Sequence, residues 1–163
     1  TQLSELYELR VVLEDLIVRR AAKSGDMMQV ADLRASWVGL SELAPERLAK
    51  ISTPDFVYAD EAFHEGLASA AGNATAARYL RDYNERIRIL RVHDFTTQDR
   101  IAATIAEHIE LADAVIAGEG DAASALMRVH IDRSARVVED RVGKMLARMF
   151  DPAADGASVG SAE

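Results

Sequence analysis

Through most of this chain the apolar residues recur three and four positions apart, and four inward places are taken by groups that carry charge or bind protons. That period marks helices burying one face. The first stripe runs Leu3, Leu6, Arg10, Leu13, Ile17, and predicts a helix over about 3–23. Ser24-Gly25-Asp26 breaks it, with Gly25 suited to a C-terminal cap. Val30, Leu33, Trp37 and Leu40 predict a second helix over about 27–43, closed by Pro45. A third, over about 53–71, takes Thr53 as N-cap and Pro54 as its first helical residue. Its inward face holds Phe56, Asp60, Phe63, His64 and Leu67, and Gly72-Asn73 ends it.

The fourth helix, about 74–93, turns Tyr79, Leu80, Tyr83, Ile87 and Leu90 inward. Thr96-Thr97-Gln98-Asp99 opens the fifth, which runs to about 117 through Ile101, Ile105, His108, Ala112 and Val115. Gly118-Glu119-Gly120-Asp121 is a turn with Asp121 as N-cap of the last helix, about 122–149, through Leu126, His130, Val137 and Met145. No alternating pattern competes for a strand. Short breaks between long helices make antiparallel neighbours. The expected fold is all-α: an antiparallel bundle of six or seven helices over 1–149, around a central metal and ligand pocket. The stretch 150–163 is small, polar and acidic, and is expected to be a flexible tail.

Composition narrows the function. With no cysteine there are no disulfides and no thiolate metal sites, which fits a cytoplasmic protein. No run approaches the ~18 apolar residues of a membrane span, and no export signal opens the chain. A net charge of −8 repels phosphate backbones, so this chain is a poor nucleic-acid binder by itself.

Buried polar groups need partners. Asp60 and His64 lie one helical turn apart and can hold one ion from a single rigid element. His108 and His130 occupy inward positions on two further helices. Any one of these histidines alone reads most simply as an ordinary core residue. Three of the chain's four histidines on inward stripes of three helices, one with a carboxylate a turn away, point jointly to a divalent metal. Imidazoles with a carboxylate suit zinc first, with nickel, manganese or iron as alternatives. Coordination beyond four ligands leaves room for water or a small organic acid. His93, at the ragged end of the fourth helix, reads as solvent-facing.

Arg10 on the first inward stripe has two readings: an ion pair with Glu14 one turn on, or a clamp on the carboxylate of a bound acid. Arg86 and Arg88 flank the fourth stripe and read as solvated, with Arg86 kept as a weaker ligand-binding candidate beside Arg10. Trp37 and Met27-Met28 read as packing.

At these residues the chain resembles the FCD domain, the C-terminal effector-binding domain of FadR-type GntR transcription regulators. The resemblance covers Leu3 to Met149. It rests on Glu5-Leu6-Tyr7-Glu8-Leu9-Arg10, on Asp60-Glu61-Ala62-Phe63-His64 followed by Ala68-Ser69-Ala70-Ala71-Gly72-Asn73, on Glu107-His108-Ile109, on the turn Gly118-Glu119-Gly120-Asp121, and on Met127-Arg128-Val129-His130-Ile131. It implies Asp60, His64, His108 and His130 as metal ligands, a small carboxylate effector beside the metal, a homodimer and a role in transcription. Members carry a DNA-binding winged helix-turn-helix before this domain. No such segment is expected within this chain, so DNA would be reached only through a missing N-terminal domain.

Ligand sensing needs no catalytic step, and the expectation is a non-enzyme. Two rivals stand beside it. A mononuclear metal-dependent helical-bundle enzyme needs only two histidines and a carboxylate, whereas a di-iron bundle needs Glu-x-x-His twice, and Glu61 to His64 supplies that spacing once. The other rival is a structural helical dimerisation module with unmetallated histidines.

Overall fold

The computed structural model describes residues 2–150, and the expected acidic tail lies outside the described residues apart from the backbone of Phe150. Among the described residues seven helices follow one another: α1 (Gln2–Ser24), α2 (Met27–Ser41), α3 (Pro45–Leu48), α4 (Thr53–Ala70), α5 (Ala74–Arg91), α6 (Gln98–Ile116) and α7 (Gly120–Phe150). No strand occurs among the described residues. No described helix is long and apolar enough to cross a membrane.

Local chemistry sets most boundaries. Asp26 caps α2 by accepting from the backbone N–H groups of Met28 and Gln29. Pro45, expected as a stop, instead opens the single turn of α3, where a missing N–H costs nothing. The cap of α4 is Ser52, which accepts from the Asp55 N–H, so the expected cap Thr53 lies inside the helix. Asn73 caps α5 and Thr97 caps α6 through the same kind of bond. Gly72 and Gly118 take left-handed backbone at φ 63° and 75°, which lets α4 and α6 end in tight turns. Asp121 is not the cap of α7. That helix begins a residue earlier, and the Asp121 carboxylate pairs with Arg19.

Cross-links order the helices as antiparallel neighbours. Along α1 and α7, Arg19 meets Ser124, Asp15 meets Arg128, and Tyr7 meets Ser134. Glu61 with Arg88 and Glu65 with Asn84 register α4 against α5, and Arg34 with Asp113 registers α2 against α6. Between the helices lies one apolar core in which Ile17, Val18, Val30, Phe56, Leu67, Leu80, Leu111, Met127 and Ile131 are almost fully shielded. Trp37 packs edge-on against Phe56 and Phe63, with ring centroids 5.6 and 5.8 Å apart, as a core residue should.

Inward assignments shift at four residues. Tyr79 is exposed, because the buried face of α5 runs through Ala76, Leu80, Tyr83, Ile87 and Arg91. On α7 the buried line is Ala123, Met127, His130, Ile131, Ser134 and Val138, which leaves Leu126 and Val137 half-buried. Met145 is exposed, as are most residues of the last turns of α7.

Replacing Gly72 by Ala forces a side chain into left-handed backbone. The expected cost is about 1 kcal/mol, read as a lowered thermal midpoint with an unchanged helical spectrum.

Candidate metal centre

Asp60 and His64 on α4, His108 on α6 and His130 on α7 meet inside the bundle, each at most 1% exposed. One ligand atom from each lies within 4.8 Å of the others. His64 Nε2 stands 3.7 Å from Asp60 Oδ2, His108 Nε2 stands 3.5 Å from Asp60 Oδ1, and His130 Nε2 stands 4.0 Å from the same oxygen. Ligand atoms about 2.0–2.2 Å from one ion are separated by distances of this order.

Hydrogen bonds around the cluster aim the rings. His64 Nδ1 faces Glu14 Oε2, and His130 Nδ1 faces Glu107 Oε2 at 2.7 Å. A neutral imidazole that donates from Nδ1 carries its lone pair on Nε2. The Nε2 atoms of His64 and His130 then face each other at 3.2 Å, lone pair against lone pair. A cation between them turns that repulsion into coordination. His108 is held differently. Its ring stacks on Phe63 at 4.1 Å and meets Trp37 edge-on at 4.1 Å, and neither ring nitrogen has a hydrogen-bond partner. Asp60 Oδ1 is equally unpartnered, while Oδ2 accepts from Arg91 Nη2 at 2.6 Å. His108 Nε2 and Asp60 Oδ1, both unpartnered, face each other at 3.5 Å, and a cation between them would satisfy both. The donor set therefore fits a divalent ion, which would act as a Lewis acid toward an anion.

Electrostatics keep the groups in metal-ready form. Burial pushes the Asp60 carboxyl up, but Arg91 and the three histidines outweigh it and hold it well below the usual range. Burial lowers His108 well below the ordinary imidazole value, and neighbouring His130 adds to the shift. Burial lowers His130 too, against the opposing hydrogen bond that its ring donates to Glu107. Glu14 is pushed up by burial, yet His64 and Arg10 bring it down to about 2.

Beside the cluster lie two buried guanidiniums. Arg10 donates from Nε to Glu14 Oε1 at 2.5 Å, so the expected ion pair forms, yet Nη1 and Nη2 have no partner. Arg91 bonds Asp60 through Nη2 and leaves Nε and Nη1 unpartnered. Tyr83, with Arg10 5.6 Å above its ring, has a buried hydroxyl that is likewise unpartnered. Arg86 does not join them. It is exposed, because it precedes the inward Ile87, whereas Arg91 one turn beyond Ile87 points in. Glu61 is buried but turns to Arg88, 2.8 Å away, so the Glu-x-x-His spacing puts no second carboxylate in the cluster. His93 is half-buried and stands apart from it.

Glu14, Arg91 and Glu107 were not singled out from the sequence as parts of the site. Arg91 had a signal: extending the α5 stripe by four from Ile87 reaches it, not Leu90. Glu14 had one in its spacing from Arg10. Glu107 flanks its stripe and had none.

A family model described as the FCD domain matches residues 5–133. The chain belongs to the FCD family. It is the effector-binding domain found in GntR-family transcription regulators. A relative, the Nta operon transcriptional regulator of Aminobacter aminovorans, is 26% identical over 153 residues, covering 91% of this chain and 69% of that protein.

Depressed histidines give a signed pH dependence. An unfolded histidine takes up a proton near 6.5, while folded His108 and His130 resist it. Stability is therefore fully present above that value and is lost as pH falls below it. In chelator, the urea midpoint at about pH 5.5 should lie below that at about pH 7.5. Equal midpoints would contradict the burial of neutral rings.

Proposed function

We propose that this FCD domain senses a small organic acid through a divalent metal held by Asp60, His64, His108 and His130. The observation that carries this is the convergence of three imidazoles and a carboxylate next to guanidinium nitrogens that have no partner. Zinc suits the donor set first, with nickel, manganese and iron as alternatives. Arg10 is the sequence-derived candidate for the effector's carboxylate, and the position of Arg91 supports adding it. Arg86 has no part in this reading. Glu14 and Glu107 act as positioning residues that orient His64 and His130.

The domain spans 1–149 and works in the cytoplasm, in regulators that read DNA through a separate winged helix-turn-helix domain. The relative's name, an operon transcriptional regulator, supports transcription as the output. Acid binding favours one of two bundle arrangements and so changes how paired reading domains are presented to DNA. Pairing is by homodimer. Leu9, Val12 and Leu16 form an exposed apolar row on α1 of the kind a second copy would cover. No chemical turnover is involved.

Metal content by mass spectrometry tests the ligand set. Asp60→Ala and His108→Ala should each purify with little metal, and unchanged occupancy in both would overturn the assignment. Glu107→Gln should keep the fold and weaken metal binding by roughly tenfold to hundredfold in chelator competition.

A further inference from the structure

We propose that the acid held beside the metal is a dianion, a dicarboxylate rather than a monocarboxylate. This rests on the effector-binding reading above and narrows its ligand class.

The first line of argument is charge. The sealed groups next to the cluster are Arg10, Glu14, Asp60 and Arg91, each at most 1% exposed. Two guanidiniums and two carboxylates cancel. The neighbouring buried pair of Asp94 and Arg100, 2.8 Å apart, cancels within itself. Glu61 pairs with Arg88 and Glu107 with Arg133, whose side chains are 34% and 48% exposed, so these carboxylates are balanced from the solvent side. Histidines that ligate through a lone pair are neutral. The interior is thus already balanced before any ion enters. A divalent ion adds two positive charges that no side chain offsets, and uncompensated charge in a water-excluded interior is strongly disfavoured. A monocarboxylate removes half of that excess. A dicarboxylate removes it all.

Donor accounting is the second line, and it is independent. Four guanidinium nitrogens are buried without a partner: Nη1 and Nη2 of Arg10, and Nε and Nη1 of Arg91. The free edge of Arg10 presents two parallel donors, the pattern that a carboxylate accepts with both oxygens. A carboxylate that gives one oxygen to the ion has a single oxygen left for four donors. A second carboxylate on the same molecule supplies the missing acceptors, and the Tyr83 hydroxyl adds one more polar contact. Charge and acceptor count reach the same answer.

The test titrates the zinc-loaded chain calorimetrically with acetate and propionate, and with malonate, succinate and glutarate. Metal content is measured after each run to exclude stripping by the acid. The best dicarboxylate should bind at least about tenfold tighter than the best monocarboxylate. In Arg10→Met that preference should shrink, since one buried positive charge and one free edge are gone. If that variant does not fold, the ratio in the unaltered chain decides alone. Monocarboxylates binding as tightly as dicarboxylates would overturn the dianion inference and leave the effector reading standing. Failure of every acid to bind the loaded chain would overturn both.

Discussion

The fully buried carboxylate of Asp60 organises the interior. It touches the outside of the molecule nowhere, so its charge must be met from within. Arg91 meets one oxygen, and the other looks into the gap between three imidazoles. Arg91, His108 and His130 each come from a different helix, while His64 lies one turn along α4 itself. Asp60 therefore ties α4 to α5 directly, and to α6 and α7 through the point at which an ion would sit. The helices are packed by their apolar faces, but their mutual register near the centre is set by polar groups that tolerate little displacement.

Around that centre the three rings are fixed in two ways. His64 and His130 are steered by carboxylates, and His108 is clamped between Phe63 and Trp37. The first arrangement is electrostatic and depends on Glu14 and Glu107 staying ionised. The second is steric and survives any change in charge. The first also links the cluster to its surroundings. Glu14 holds Arg10 with its other oxygen, and Glu107 reaches Arg100 and the solvent-exposed Arg133. Contiguous hydrogen bonds and ion pairs therefore run from the cluster to α1 and to the surface of α7.

The order and approximate extent of the six long helices were legible because the apolar period runs through most of the chain, and Gly72 and Gly118 mark turns that only glycine makes cheaply; the single turn of α3 was not located. The convergence of Asp60 with three histidines was legible for the same reason: inward polar residues on a periodic stripe have few places to go. What escaped was set by neighbours rather than by period. Ser52 outcompeted Thr53 as a cap by one residue, a difference that rests on local backbone geometry. Tyr79 and Arg86 sit one residue from the true inward positions Leu80 and Ile87, where a step of about 100° turns a side chain outward. Glu107 was invisible, because nothing in its own helix reveals a histidine approaching from the next one.

The placement of Trp37 has a practical outcome. The chain has one tryptophan, and its indole lies edge-on against His108. Tryptophan emission from this protein therefore originates at a single spot, in van der Waals reach of the cluster. The fold comes with its own optical probe, and ring motion or ion loading at the centre is converted into light without a label being attached.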